Sequence, residues 1–165
     1  IQSISLNLFG IIYIAGGASF FILIRDFYIH PLDNNKAIWL VLLATWASDT
    51  GAYFAGKYLG KRKLAARISP NKTIEGALGG ILTSIIVVAL YTLSIHVFSL
   101  QWVIYGILVS VIAISGDLFE SAIKRDMVVK DSGKIIPGHG GILDRFDSLF
   151  FTFPFTYYYL IFILK

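Results

Sequence analysis

Residues 138–164 read "GHGGILDRFDSLFFTFPFTYYYLIFIL" and pass abruptly from glycine and charge into hydrocarbon. Glycines, His139, Asp144, Arg145 and Asp147 come first, and an apolar run from Leu149 to Leu164 follows at once. A helix rising about 1.5 Å per residue needs about 20 apolar residues to cross roughly 30 Å of hydrocarbon. The stretch 143–164 is long enough, and apolar stretches of similar length occupy 4–25, 37–59, 74–98 and 101–123. All are continuous rather than alternating, which favours helices over barrel strands. The expected fold is all-α: a polytopic helical integral membrane protein with about five transmembrane helices.

Composition agrees. The chain has 165 residues, of which 56% are hydrophobic and only 15% charged, with a mean hydropathy of +0.74. A soluble domain of this length would be more polar. The absence of cysteine excludes disulfides, thiolate metal sites and a cysteine nucleophile. No basic residue precedes the first apolar run, so a signal peptide is a poor reading. The chain opens on Ile1 rather than methionine, which suggests a fragment or a processed start. Residues 1–165 are expected to form a single membrane-embedded domain, without repeats or a soluble appendage. Small residues at helical spacing, Gly51 with Ala55, Gly76 with Gly80 and Gly106 with Ser110, would let helix backbones approach closely.

The connections set the topology. The segment between the second and third stretches holds Lys57, Lys61, Arg62, Lys63, Arg67 and Lys72. That between the fourth and fifth holds Lys124, Arg125, Lys130, Lys134 and Arg145. Alternation of five spans puts both on one side, which the positive-inside rule makes cytoplasmic. Lys165 is then expected outside.

Acids within apolar spans are costly, roughly 2.5–3.5 kcal/mol on insertion scales, and therefore point to function. Asp49 lies near the middle of the second span. Asp117, Glu120 and Lys124 follow i, i+3, i+7 and share one face late in the fourth; Asp144 and Asp147 open the fifth. If those helices are neighbours, four carboxylates converge just below the membrane surface, where a hard cation such as Mg²⁺ would relieve their repulsion. A structural alternative stays open for each: Asp144 as a helix N-terminal charge, Asp147 paired with Arg145, Glu120 and Lys124 as an i, i+4 pair, and Asp49 bonded to a neighbouring helix.

Carboxylate-held Mg²⁺ usually accompanies substrate phosphates. In "RISPNKTIEG", residues 67–76, Ser69 reads as an N-cap and Pro70 as the first helical residue, with Lys72 beside an anion-binding helix start. In "KDSGKIIPGHGG", residues 130–141, Lys130, Lys134 and the turn around Gly140 and Gly141 could approach an anion closely. His139 would bond a phosphate or ribose, or hold the turn. Positive-inside topology accounts for lysines by itself, but not for acids at matching depth. The combination suggests phosphoryl or nucleotidyl transfer at the membrane face.

"SAIKRDMVVKDSGKIIPGHGGILDRFD", Ser121 to Asp147, resembles the signature of the phosphatidate cytidylyltransferase (CDP-diacylglycerol synthase) family, and residues 48–80 resemble the region upstream of it. The similarity runs from about Trp39 onward. It implies transfer of CMP from CTP to phosphatidic acid with Mg²⁺, leaving a second cation open. It also implies membrane lipids and a homodimer as partners and a site facing the cytoplasm; no nucleic acid is expected, and a bacterial inner membrane suits so small a chain. By position it makes Asp117, Lys124, Asp144 and Asp147 catalytic, with Asp117, Asp144 and Asp147 around the metal; the face shared with Asp117 adds Glu120 to that set, and Asp49 is a further candidate. Ser69, Asn71, Lys72, Thr73, Arg125, Lys130, His139, Gly140, Gly141 and Arg145 become substrate-binding candidates. The family's further N-terminal spans are absent before Ile1, and Ile74 stands where members often carry an aromatic residue. A CTP-dependent polyprenol or phytol kinase and an ion or proton transporter are the rival readings.

Overall fold

The computed structural model describes residues 2–26, 34–127, 129 and 143–163. The apolar stretches become α1 (Gln2–Arg25), α2 (Asn34–Leu59), α3 (Ile74–Ser94), α4 (Leu100–Asp126) and α6 (Leu149–Ile163), the last preceded by one short turn, α5 (Leu143–Phe146). By length and composition α3 and α4 could cross a membrane; α6 and the Gly10–Arg25 part of α1 are shorter apolar helices. α2, with Ser48, Asp49 and Thr50 in its middle, falls short in hydropathy. Among the described residues two helices thus meet this criterion, against the expected count of about five crossing helices.

The all-α expectation needs one correction. Between α2 and α3 the chain forms an antiparallel hairpin of β1 (Lys63–Ala65) and β2 (Ser69–Thr73), pairing Lys63 with Thr73 and Ala65 with Ser69. Ser69 therefore opens a strand and does not cap a helix. Pro70 sits in β2, which a two-stranded ribbon tolerates because each strand keeps an outward edge. The cap of α3 is Thr73, extended at φ −125° and ψ 157°, whose Oγ1 accepts the Gly76 N–H at 3.0 Å.

α3 shows why the bundle suits lipid. Its buried face is Gly76, Gly80, Ser84, Val88 and Thr92 at steps of four. Its outward face is Leu78, Leu82, Ile86, Leu90 and Leu93. The more apolar side points away from the protein, the reverse of what water selects. Inside, small residues bring backbones together: a Cβ on Gly79 would collide with the Ala55 Cβ, and one on Gly76 would stand 2.9 Å from the Ala52 oxygen. Gly106 likewise presses on the Ile85 backbone. Gly76 also faces Gly56 while Gly80 faces Ser48, so the paired numbers run in opposite senses and α2 and α3 are antiparallel. α1 and α6 are parallel, since Tyr13 meets Phe150 and Phe20 meets Tyr157.

Hydroxyl pairs tie the helices across the interior. Ser48 and Ser110 share a hydrogen bond of 2.6 Å between α2 and α4. Thr45 donates to Thr152 at 3.3 Å, and Tyr105 is bonded to Thr156 at 2.9 Å. The apolar core, including Ile24, Leu40, Val41, Val88, Trp102, Tyr105 and Leu160, lies toward one end of the bundle. The acids gather toward the other.

Gly79→Leu should destabilise the protein by about 1–3 kcal/mol or more through overpacking, while Leu82→Ala on the outward face should leave the thermal midpoint in detergent nearly unchanged. Thermal unfolding of the two variants beside the parent checks this.

Candidate active site

The hairpin leans over the acidic end of α2 and α4 and encloses a cavity of about 590 Å³. Asp49 and Tyr53 come from α2, Ser69, Asn71, Lys72 and Thr73 from β2, and Asp117 from α4. The hairpin is fastened at three points. Glu75, in the first turn of α3, accepts the backbone N–H groups of Lys61 at 3.0 Å and Arg62 at 3.1 Å. Arg125 Nε, near the end of α4, donates to the Ile68 oxygen at 3.2 Å. Lys72 reaches inward, its ammonium 2.5 Å from Asp117 Oδ2, while Ser121 Oγ donates to Asp117 Oδ1 at 3.3 Å.

One turn further along α4, Lys124 serves two acids. Its Nζ lies 2.6 Å from Glu120 Oε2 and 2.8 Å from Asp144 Oδ1, joining α4 to α5. Glu120 is only 2% exposed, so this contact carries its charge balance. Asp147 lies in the turn before α6, and its Oδ1 accepts the Ser148 N–H at 2.6 Å. Burial, with repulsion from Asp117 and Asp49, pushes the Asp147 carboxyl up to about 6, against the Ser148 bonds that favour its charge.

The residues singled out from sequence thus sort into groups. Ser69, Asn71, Lys72 and Thr73 line one cavity with Asp49 and Asp117. Glu120, Lys124 and Asp144 form a contiguous ion cluster beside it. Arg125 turns its Nε to the hairpin backbone, and Arg145 belongs to α5. Lys130, His139, Gly140 and Gly141 lie outside the described residues. Among the described residues no three acidic or histidine side chains close into a ready metal cage. Lysines take up the acids instead, Lys72 at Asp117 and Lys124 at Glu120 and Asp144.

Sequence reasoning missed Tyr53, Gly56 and Lys57, which extend the cavity wall beyond Asp49. Their spacing held the signal: Asp49, Tyr53, Gly56 and Lys57 recur at i, i+4, i+7 and i+8, one face of α2.

A family model described as the cytidylyltransferase family matches residues 1–163. The phosphatidate cytidylyltransferase of Bacillus subtilis is 45% identical over 151 residues, covering 90% of this chain and 55% of that protein. That of Synechocystis sp. is 43% identical over 145 residues, covering 82% and 47%. That of Staphylococcus haemolyticus is 47% identical over 130 residues, covering 78% and 50%. The chain spans about half the length of these curated relatives.

Lys124→Met should cost about 3–5 kcal/mol, because it strips the cation from the buried Glu120 carboxylate. Adding Glu120→Gln to that variant should recover a measurable part of the loss. A double-mutant cycle on thermal unfolding in detergent reads the coupling, and additive losses would contradict it.

Proposed function

The chain belongs to the cytidylyltransferase family, and on that premise we propose that the protein transfers CMP from CTP to phosphatidic acid, yielding CDP-diacylglycerol and pyrophosphate. The observation that supports this best is the Lys72–Asp117 pair across the cavity, with Ser69, Asn71 and Thr73 around it. One small space offers an ammonium and polar groups suited to phosphate, and carboxylates suited to a cation. A transporter would spread its acids across the bilayer, whereas these gather toward one end.

The donor chemistry fits Mg²⁺. Asp49, Asp117 and Asp147 are hard oxygen donors, and the first two both oppose ionisation of the third. Asp117 and Asp147 would hold the ion, with Asp49, Glu120 and Asp144 within the same acidic end. When bound, Mg²⁺ supplies charge neutralisation for a polyphosphate and its leaving group. Lys72 on β2 binds nucleotide phosphate by exchanging its carboxylate partner for a phosphate oxygen. Ser69, Asn71 and Thr73 orient the same group by hydrogen bonds. Lys124 holds Asp144 at the start of α5 and so positions the turn carrying Asp147. An anionic phosphate oxygen of phosphatidate attacks the α-phosphorus of CTP in line. The new P–O bond forms as the bond to pyrophosphate breaks, and pyrophosphate departs. The acceptor is already ionised, so no general base is required.

This reading sets the protein in a bacterial inner membrane as a homodimer crossing it with all five long helices. The two basic connections, and with them the site, face the cytoplasm. Lipid substrate then enters sideways from the bilayer while CTP enters from water.

Full-length protein in detergent, given phosphatidate and CTP labelled at the α-phosphate, should place label in lipid only when Mg²⁺ is present. Lys72→Met should lower kcat/KM by about 100-fold, and Asp144→Ala should abolish the product without unfolding the protein. Transfer of label from γ-labelled CTP to a polyprenol, with none from α-labelled CTP to phosphatidate, would establish the kinase instead.

A further inference from the structure

A second cavity, of about 640 Å³, lies between α1, α2 and the start of α6. Its volume falls within the roughly 300–1,000 Å³ of cavities that bury small ligands. Every lining side chain is hydrocarbon or aromatic, among them Ala18 and Phe21 of α1, Leu42 and Trp46 of α2, and Phe150 and Phe153 of α6. α1 and α6 press together at Gly17, on which a Cβ would stand 2.8 Å from Phe150. The cavity mouth is open, since Trp46 and Phe146 stay about half exposed.

Two of its walls change character at the same end. Along α2, Leu42, Trp46 and Asp49 follow at i, i+4, i+7 and so share one face over roughly 10 Å. Asp49 already belongs to the polar cavity. On the opposite side Phe153 and Phe150 lead back to Asp147, and Phe146 stands between Asp144 and Asp147 in the chain. Both walls therefore run from hydrocarbon to carboxylate in the direction of the Lys72 and Lys124 ammonium groups. A free nucleotide has no use for the apolar half, and an uncharged hydrocarbon has none for the other. Lys72 shares the polar cavity with Asp49, so the fitting occupant is an amphiphile whose anionic head reaches past the carboxylates to that ammonium.

We infer that this apolar cavity receives one acyl chain of the phosphatidate, with its phosphate turned past Asp49 to the Lys72 ammonium of the polar cavity. The inference rests on the lipid-acceptor reading above and deepens it. The pocket makes chain length part of substrate recognition, and Ala18 and Trp46 become specificity-determining positions.

The test uses full-length protein in phosphatidylcholine vesicles and a phosphatidate carrying a diazirine on its acyl chain. After irradiation, mass spectrometry should find adducts on Phe21, Trp46 and Phe150, removed by excess plain phosphatidate and not by excess phosphatidylcholine. Ala18→Trp, which fills the cavity, should lower the ratio of kcat/KM for dioleoyl over dihexanoyl phosphatidate by about tenfold. Adducts confined to the outward face of α3, or equal labelling by a diazirine phosphatidylcholine, would overturn the inference. So would an unchanged chain-length ratio in folded Ala18→Trp. The labelling needs no turnover, which separates the two failures. Competable pocket adducts without CDP-lipid formation would remove the cytidylyl-transfer reading and keep the pocket, whereas product with adducts elsewhere would remove the pocket alone.

Discussion

A carboxylate placed in an apolar bundle must meet a cation or surrender its charge, because burial without a partner costs several kcal/mol. In this protein the cations come from other elements. Lys72 on the hairpin meets Asp117 on α4, and Lys124 on α4 meets Asp144 on α5. The hairpin and α5 are both short, and the hairpin carries little buried apolar surface of its own. Their positions follow from these ion pairs, together with Arg125 on the Ile68 carbonyl and Glu75 on the Lys61 and Arg62 amides. Charge compensation thus both excuses the acids and builds the rim of the cavity.

Between the long helices a different rule operates. Lipid outside offers helices little hydrophobic reason to associate, so association depends on close backbone packing and on interhelical hydrogen bonds. α3 follows that rule by turning Gly76, Gly80, Ser84 and Thr92 inward and its leucines outward. The Ser48–Ser110 bond lies one residue from Asp49 in the chain. A rigid contact between α2 and α4 therefore sits next to the acids that those two helices bring to the cavity.

The helices were legible because their signal is local: a long apolar run needs no partner to declare itself. The Glu120–Lys124 pair was legible for the same reason, being one turn of one helix. The hairpin was not, since its strands are short and polar and its register depends on tertiary fastening. Ser69 and Thr73 both stand before the apolar run of α3, and Pro70 made Ser69 the natural cap. Strand pairing at Ala65–Ser69 decided against it and left Thr73 to accept the Gly76 amide. The place of the acids along their helices could be read from the chain. The lysines that Asp117 and Asp144 meet could not, because Lys72–Asp117 and Lys124–Asp144 are contacts across elements.

That both compensating cations are lysines bears on the proposed chemistry. An arginine would grip a carboxylate in a two-point fork and hold it, whereas a lysine is a point charge on a flexible stem with three rotatable donors. Lys72 can leave Asp117 for a phosphate oxygen by turning about its side-chain bonds, while the strand that carries it stays paired. Thr73, the next residue, remains fixed as the cap of α3. The ammonium can therefore change partners without disturbing the helix start. Lys124 is more confined, held by two acids and rooted in the last turns of α4. One lysine is thus suited to exchange and the other to anchoring, and the difference follows from the two carboxylates that Lys124 holds within ion-pair distance.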